Sequence, residues 1–154
     1  MASYFFDSSA LVKRYAIEVG TAWTISIFRP PHANRIYVAR ITSVEVVSAL
    51  ARRVRAGKLN GKSAKRAMAR FRRAFIGRFR KIEITETLID RATSLAEKHG
   101  LRGYDAVQLA GVLAANDERL AAGAARLTLI SADNALNSAA IAEGLAVDNP
   151  NHHP

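Results

Sequence analysis

The sequence contains no cysteine among its 154 residues. Disulfide bonds, thiolate metal sites and a cysteine nucleophile are therefore excluded, and the lack of cysteine suits a cytoplasmic location, which we expect. No stretch of about 18 uncharged apolar residues occurs, so the sequence predicts no transmembrane helix and no membrane partner. Asp7 interrupts the apolar start of the chain, and no basic segment precedes it, so a signal peptide is not predicted either.

Acidic residues are scarce as well, with 13 Asp and Glu against 23 Lys and Arg, which gives a formal net charge of +10. Thirteen of the basic residues lie between Arg52 and Lys81, a segment without a single Asp or Glu. The rest of the chain therefore carries a small net negative charge. Such a segment favours a polyanionic partner, although a run of charge on a helix is most often only a solvated face.

Short apolar runs alternate with longer segments of helical periodicity along the whole chain. Strands are predicted at residues 3–6, 35–41, 81–85, 126–131 and 145–149, and helices at 8–15, 21–28, 42–58, 60–79, 86–100, 103–117 and 132–144. We expect the helix at 21–28 to end at the Pro30–Pro31 pair. Alternation of this kind predicts an α/β fold of three layers (α/β/α), with a small, mainly parallel sheet and helices on both faces.

The domain organisation follows from the same pattern. We expect a single domain over residues 1–148 that contains a basic helical arm at about 43–80, and a disordered C-terminal tail at 149–154. In the arm, Val44 and Ile76 fall on the apolar faces of their helices. Phe71, Phe75 and Phe79 lie at i, i+4 and i+8, a spacing more typical of a core or a dimer interface than of a base-stacking surface.

Two acidic residues directly follow predicted strands. Asp7 ends the strand in "YFFDSSALVKRY", and Asp133 comes just after "LTLIS". Ligands of open parallel sheets bind beyond the carboxyl ends of the strands, so both side chains point to that edge. Each residue also precedes a helix, where Asp is a favoured N-cap, and capping alone remains an equal alternative.

Two further acidic residues begin apolar helices. Glu45 stands fourth in Thr42–Glu45, which has the spacing of a capping box, so a capping role remains open for it too. Asp105 opens "GYDAVQLAGVLAA", one of the most apolar helices, and its only obvious local partner is Arg102. Because an unpaired buried charge is costly, Asp105 needs either that partner or a bound cation.

Together, the four carboxylates can form a site for a hard cation such as Mg²⁺ or Mn²⁺, which takes oxygen ligands. Such an ion can polarise a phosphate group and lower the pKa of a bound water. An acidic pocket alone would repel a phosphodiester, whereas bound metal and a basic arm together would attract one. The histidines are placed at a helix end, after prolines or near the C-terminus, and do not suggest a catalytic relay.

Four segments resemble the PIN-domain family, and in particular its VapC-type toxins, in both order and spacing. They are "YFFDSSALVKRY", "ITSVEVVSALAR", "LRGYDAVQLAGVLAA" and "LTLISADNALNSAAIAEGLAVDNP". The resemblance covers nearly the whole chain, and the basic helix in the middle matches only in being helical. It implies a PIN-like fold and a metal-dependent endoribonuclease that acts on RNA, uses Mg²⁺ (or Mn²⁺), forms a homodimer and is blocked by a cognate antitoxin.

By the same resemblance, the acidic cluster consists of Asp7, Glu45, Asp105 and Asp133. Asp7 and Asp105 correspond to direct metal ligands, and Glu45 and Asp133 would support them or hold a second ion. Ser9 could hydrogen-bond a carboxylate in the second shell, and Asn134 and Asn137 could line the rim, although the start of a helix explains all three equally well. The residues that we expect to contact RNA are Arg52, Arg53, Arg55, Lys62, Lys65, Arg66, Arg70 and Arg73.

Two other classes of function are compatible with parts of the sequence. The basic arm alone would serve a non-catalytic module that binds RNA or a protein partner. An α/β phosphotransfer enzyme or receiver also uses an Asp after its first strand. However, a dehalogenase-like enzyme requires a second Asp where Ser9 stands, and a receiver requires an acidic pair where Phe5 and Phe6 stand.

Overall fold

The structure is a computed structural model and describes residues 1–29 and 34–154, so the predicted helix stop at Pro30–Pro31 lies outside the described residues. Its strands are β1 (Ser3–Phe6), β2 (Arg35–Ala39), β3 (Arg80–Ile82), β4 (Thr128–Ile130) and β5 (Ala146–Asp148). Its α-helices are α1 (Ser8–Leu11), α2 (Thr21–Ile27), α3 (Thr42–Arg55), α4 (Gly61–Gly77), α5 (Glu86–His99), α6 (Gly103–Ala121) and α7 (Asn134–Ala142). Each predicted strand and helix is present, and most are shorter than predicted. None of the described helices is both long and apolar enough to cross a membrane.

The five strands form one parallel sheet in the order β3-β2-β1-β4-β5. Helices cover both faces, which confirms the predicted three-layer α/β/α architecture. From β1 the chain first builds the β2–β3 side of the sheet and then crosses to β4 and β5 on the other side. The order of the strands therefore reverses between β1 and β4, and in open parallel sheets such a switch point forms a crevice at the carboxyl ends of the strands.

Neighbouring residues of β1 supply the two halves of the core. Because successive side chains of a strand point to opposite faces, Phe5 packs in one cluster with α5 and α6, and Phe6 packs in another with α1, α3 and α4. Both rings are fully buried. The central strand is thus held by packing from both layers, which fixes the position of the residue that follows it, Asp7.

The basic arm is packed onto the domain and does not project from it. Phe71, Phe75 and Phe79 are buried in the core cluster beneath α3 and α4, as their spacing predicts for core residues. Val44 and Ile76 differ from the prediction, since 64% and 77% of their surfaces are exposed. They line a shallow apolar groove between α3 and α4, where a helical period alone cannot tell core from surface.

The C-terminal residues are ordered, which contradicts the expectation of a disordered tail. Residues Pro150–His152 form a 3-10 turn, and the ring of His153 stacks on Trp23 of α2 with centroids 4.1 Å apart. His153 Nε2 also lies 2.8 Å from a carboxylate oxygen of Asp148. The turn packs so closely on Gly20 that a Cβ there would lie 2.2 Å from the Pro150 carbonyl oxygen.

Candidate functional site: a carboxylate pocket at the switch point

The four acidic residues singled out by the sequence line a single pocket of about 620 Å³. Asp7 follows β1 and Asp133 follows β4, so these two residues flank the crevice at the switch point. Glu45 reaches the pocket from the first turn of α3, and Asp105 from the first turn of α6. Four distant parts of the sequence therefore place carboxylates around one opening.

Asp7 is the most buried of the four, with 3% of its surface exposed. One carboxylate oxygen, Oδ1, accepts hydrogen bonds from the Ala10 backbone N–H at 3.1 Å and from the Ser9 hydroxyl at 2.8 Å. The other, Oδ2, lies 3.0 Å from the same hydroxyl. Ser9 Oγ in turn accepts a hydrogen bond from the Ala132 backbone N–H at 2.9 Å, which ties the β1 and β4 loops together.

Burial raises the pKa of Asp7 to about 7, because desolvation disfavours the charged carboxylate. The negative charge of Glu45 raises it further, and the hydrogen bonds from Ser9 and Ala10 offset part of the effect. Among the ion pairs of the described residues, none includes Asp7. The carboxylate is thus buried without a basic partner.

Glu45 is held in the pocket by two polar side chains rather than by its own helix end. The Ser8 hydroxyl donates to Glu45 Oε2 at 2.6 Å, and the Gln108 amide donates to Glu45 Oε1 at 2.9 Å. The same Gln108 amide donates to the Thr42 hydroxyl at 2.9 Å. These contacts replace the side-chain bond of a capping box, and the N-cap of α3, Ile41, has no side-chain hydrogen bond.

Ser8 and Gln108 were not predicted to be part of the site. A signal for Gln108 was present, because it is a polar amide one turn after Asp105 in a stretch, residues 106–115, that is otherwise apolar. It is almost fully buried, and a buried amide requires hydrogen-bond partners. Those partners are more than 60 residues away in the sequence, so the pattern alone could not identify them.

Asp105 and Asp133 share one guanidinium group. Arg102 Nε donates to Asp105 Oδ2 at 2.9 Å, and Arg102 Nη2 donates to Asp133 Oδ2 at 3.0 Å. Asp133 Oδ1 accepts the Leu136 backbone N–H at 2.8 Å, so this residue also caps α7. The two carboxylates raise the pKa of Arg102 above its usual value, chiefly through the hydrogen bond to Asp105.

Basic residues border the pocket on the side of the arm. Arg52 and Arg53 of α3 line it, and Arg53 donates to Glu18 Oε1 at 2.6 Å. The buried ammonium group of Lys13 donates to the other oxygen of Glu18 at 3.2 Å. Glu18 therefore joins two cations at the edge of the pocket.

Apart from Ser9, the remaining predicted residues lie outside the pocket lining. Asn137 is buried and donates to the Ser131 carbonyl at 2.9 Å, and exposed Asn134 faces Asn149, so neither forms the rim. The other predicted RNA contacts are exposed on α3 and α4: Arg55, Lys62, Lys65, Arg66, Arg70 and Arg73. The hydrogen bond expected of Ser9 is present, while its role beside a metal ion stays a prediction.

The carboxylate oxygens of the pocket suit a divalent cation that keeps several bound waters. They do not suit a cation that is surrounded entirely by protein ligands. Within residues 1–29 and 34–154, no group of three or more His, Cys, Asp or Glu side chains lies close enough to hold a metal ion. Mg²⁺ needs no such group, since it usually keeps several waters and binds one or two carboxylates. The carboxylate of Asp7 is buried without a basic partner, so a cation nearby would stabilise its charged form.

Comparison with known proteins gives the same family as the sequence motifs. A sequence model of the PIN domain matches residues 4–142. Ribonuclease VapC45 of Mycobacterium tuberculosis is 33% identical over 120 residues, which cover 78% of this chain and 81% of that protein.

Solved structures share the fold at low sequence identity. FitAcB from Neisseria gonorrhoeae has a TM-score of 0.64 and 19% identity, covering 97% of this chain and 99% of that one. A toxin–antitoxin complex from Klebsiella pneumoniae has a TM-score of 0.62 and 18% identity, covering 96% of this chain and 97% of that one. On the family match and the VapC45 identity, the chain belongs to the PIN domain family and is of the VapC type.

Proposed function

We propose that this protein is a divalent-metal-dependent endoribonuclease that hydrolyses RNA phosphodiester bonds at the carboxylate pocket. The observation that carries the proposal is the convergence of four acidic side chains on one crevice, with Asp7 buried there without a basic partner. The 33% identity to a protein named a ribonuclease supports the reaction class. The basic residues beside the pocket suit a polyanionic substrate.

In this proposal, Asp7 and Asp105 hold Mg²⁺ or Mn²⁺ directly, and Glu45 and Asp133 support them. When bound, the ion supplies Lewis-acid polarisation of the phosphate and a lowered pKa for the attacking water. The chain's own residues keep the acceptors in place: Ser9 orients the carboxylate of Asp7, and Ser8 and Gln108 orient that of Glu45. Such contacts matter because mutating a residue that hydrogen-bonds a metal ligand commonly lowers metal affinity or activity about 10- to 100-fold.

We further propose that the protein is the toxin of a VapBC-type pair, acts in the cytoplasm and forms a homodimer. The fold shared with a toxin–antitoxin complex supports an antitoxin partner. The excess of Lys and Arg on α3 and α4 would attract an acidic segment of an antitoxin as readily as it would attract RNA.

The test compares wild type with Asp7→Asn and Asp105→Asn, each purified in the same way and assayed on labelled RNA. Cleavage should require Mg²⁺ or Mn²⁺, stop in EDTA and fall at least about 100-fold in either variant. Asp90→Asn is the matched control, because Asp90 is an exposed acid of α5 that is absent from the pocket lining. Cleavage that persists in both pocket variants, or in EDTA, would reject the proposal.

The same preparations separate an enzyme from a non-catalytic binding module that uses the exposed basic face of α3 and α4. A binding module would hold RNA tightly in EDTA and would not cleave it when metal is added. The proposed enzyme would bind RNA in EDTA and cleave it once metal is present. The pocket variants should keep their RNA affinity, since the basic residues on the exposed helix faces remain unchanged.

A further inference from the structure

Arg102 is the one basic side chain among the described residues that forms ion pairs with any of the four pocket carboxylates. It contacts two of them at once through different nitrogens, at 2.9 Å and 3.0 Å. One acid lies in the first turn of α6 and the other caps α7, 3 and 31 residues away from Arg102 in the sequence. The guanidinium group therefore bridges the start of α6 and the start of α7 across the mouth of the pocket.

This bridge uses oxygens that a metal ion would need. Asp133 Oδ1 already caps α7, and its Oδ2 accepts from Arg102, so both of its oxygens have a donor. Asp105 Oδ2 accepts from the same guanidinium group. A cation that binds these carboxylates would have to compete with Arg102 for them, both for the lone pairs and through repulsion between like charges.

Arg102 can leave without disturbing the core. Its side chain is 79% exposed, whereas the side chains of Asp105 and Asp133 are only 16% and 23% exposed. The acids are fixed by their helices, and the arginine lies in solvent on a flexible stem. Its departure without a replacement would leave two largely shielded carboxylates facing each other.

We propose that Arg102 is the internal counter-ion of the pocket: it holds Asp105 and Asp133 in place when no metal is bound, and a divalent cation displaces it. The inference rests on the proposed function, because it takes these carboxylates to be part of the metal site. Arg102 is thus a positioning residue that stabilises the metal-free protein and lowers its affinity for the metal.

The test measures metal binding and stability directly, without RNA. Isothermal titration with Mn²⁺ at low ionic strength compares wild type, Arg102→Ala and Arg91→Ala. Arg91 is the matched control, since it forms a surface ion pair with Asp117 away from the pocket. We expect Arg102→Ala to bind Mn²⁺ about three- to fivefold more tightly than wild type, as loss of a competing exposed ion pair allows, and Arg91→Ala to be unchanged.

Thermal unfolding of the same proteins gives the complementary readout. In EDTA, Arg102→Ala should melt below wild type, and the rise in Tm on adding Mn²⁺ should be larger in the variant. As a measurement that needs no variant, the Nε–H resonance of Arg102 in wild type should shift and exchange faster with water when Mg²⁺ is added.

The outcomes test the role of Arg102 and the proposed function separately. If wild type binds Mn²⁺ but Arg102→Ala binds it equally or more weakly, Arg102 does not compete with the metal and this inference is rejected while the proposed function stands. An Nε–H signal that Mg²⁺ leaves unchanged also rejects it. If wild type binds no Mn²⁺ at all, the proposed function fails, and the inference fails with it.

Discussion

Replacing Asp7 by asparagine is expected to stabilise the metal-free protein at neutral and alkaline pH. Asn keeps the shape of Asp and an oxygen that can accept from Ser9 and Ala10, but it carries no charge to desolvate. The pKa of Asp7 rises from 3.8 to about 7 on folding. One pKa unit corresponds to about 1.36 kcal/mol, so above a pH of about 7 the shift lowers the free energy of unfolding of wild type by at most roughly 4 kcal/mol.

The sign of the pH dependence follows from which state holds the proton. Between pH 3.8 and about 7, the folded protein keeps Asp7 protonated while the unfolded chain has released that proton. Stability contributed by this group is therefore fully present below pH 3.8 and is lost as the pH rises through about 7. Asp7→Asn lacks this loss, so its advantage over wild type should grow by roughly 2–3 kcal/mol between pH 5 and pH 8.

Urea unfolding in EDTA at pH 5 and pH 8 measures this difference for wild type, Asp7→Asn and Asp90→Asn. The control replaces an exposed acid, so its stability relative to wild type should hardly change with pH. If Asp7 is a metal ligand as proposed, saturating Mn²⁺ should stabilise wild type more than Asp7→Asn, because the variant lacks the charge of that carboxylate. A variant that is less stable than wild type at pH 8 in EDTA, or a difference that is the same at both pH values, would refute the reasoning.

Two further predictions concern the C-terminal turn and the basic arm. Gly20→Ala should lower the free energy of unfolding, measured with urea, by more than about 3 kcal/mol, because Gly20 has φ +83° and its new Cβ would meet the Pro150 backbone. Gly123 is the control: it has φ +69° but open space around it, so Gly123→Ala should cost only about 1 kcal/mol. Equal losses in the two variants would contradict the close packing at Gly20. Replacing both Arg66 and Arg70 by glutamine should weaken RNA binding and reduce its salt dependence. In titrations at several salt concentrations, the slope of log K against log [salt] should become smaller in magnitude by up to about 0.7 for each lost phosphate contact. An unchanged slope would mean that neither residue contacts phosphate.

The order of strands and helices was readable from the sequence because the periodicities are strong and the connections are short. The core positions of Phe71 and Phe75 were readable for the same reason. The exposure of Val44 and Ile76 was not, because a helical period assigns residues to one face and does not show where the neighbouring helix stops covering that face. The ordered conformation of the C-terminal residues depends on the stacking of His153 on Trp23. These two residues are about 130 positions apart, so no local sequence pattern could predict the contact.

The partners of the acidic residues were harder to predict than the acids themselves. An Asp after a strand follows from local chemistry, and so did the pairing of Asp105 with Arg102, which lies three residues away. The bonds from Ser8 and Gln108 to Glu45 join residues 37 and 63 positions apart. Such pairs exist only once the sheet and helices have assembled, so a single sequence cannot reveal them.

Capping a helix and serving a binding pocket need not be alternative roles for an acidic residue. In Asp7 and in Asp133, Oδ1 accepts a backbone N–H of the following helix, and this bond fixes the plane of the carboxylate. Oδ2 accepts only side-chain donors, from Ser9 in one case and from Arg102 in the other. A capping bond thus supplies the rigidity that a metal ligand requires and leaves the second oxygen for exchange. Both roles would then favour an Asp at the same position before a helix, which explains why the local sequence alone could not distinguish a capping residue from a metal ligand.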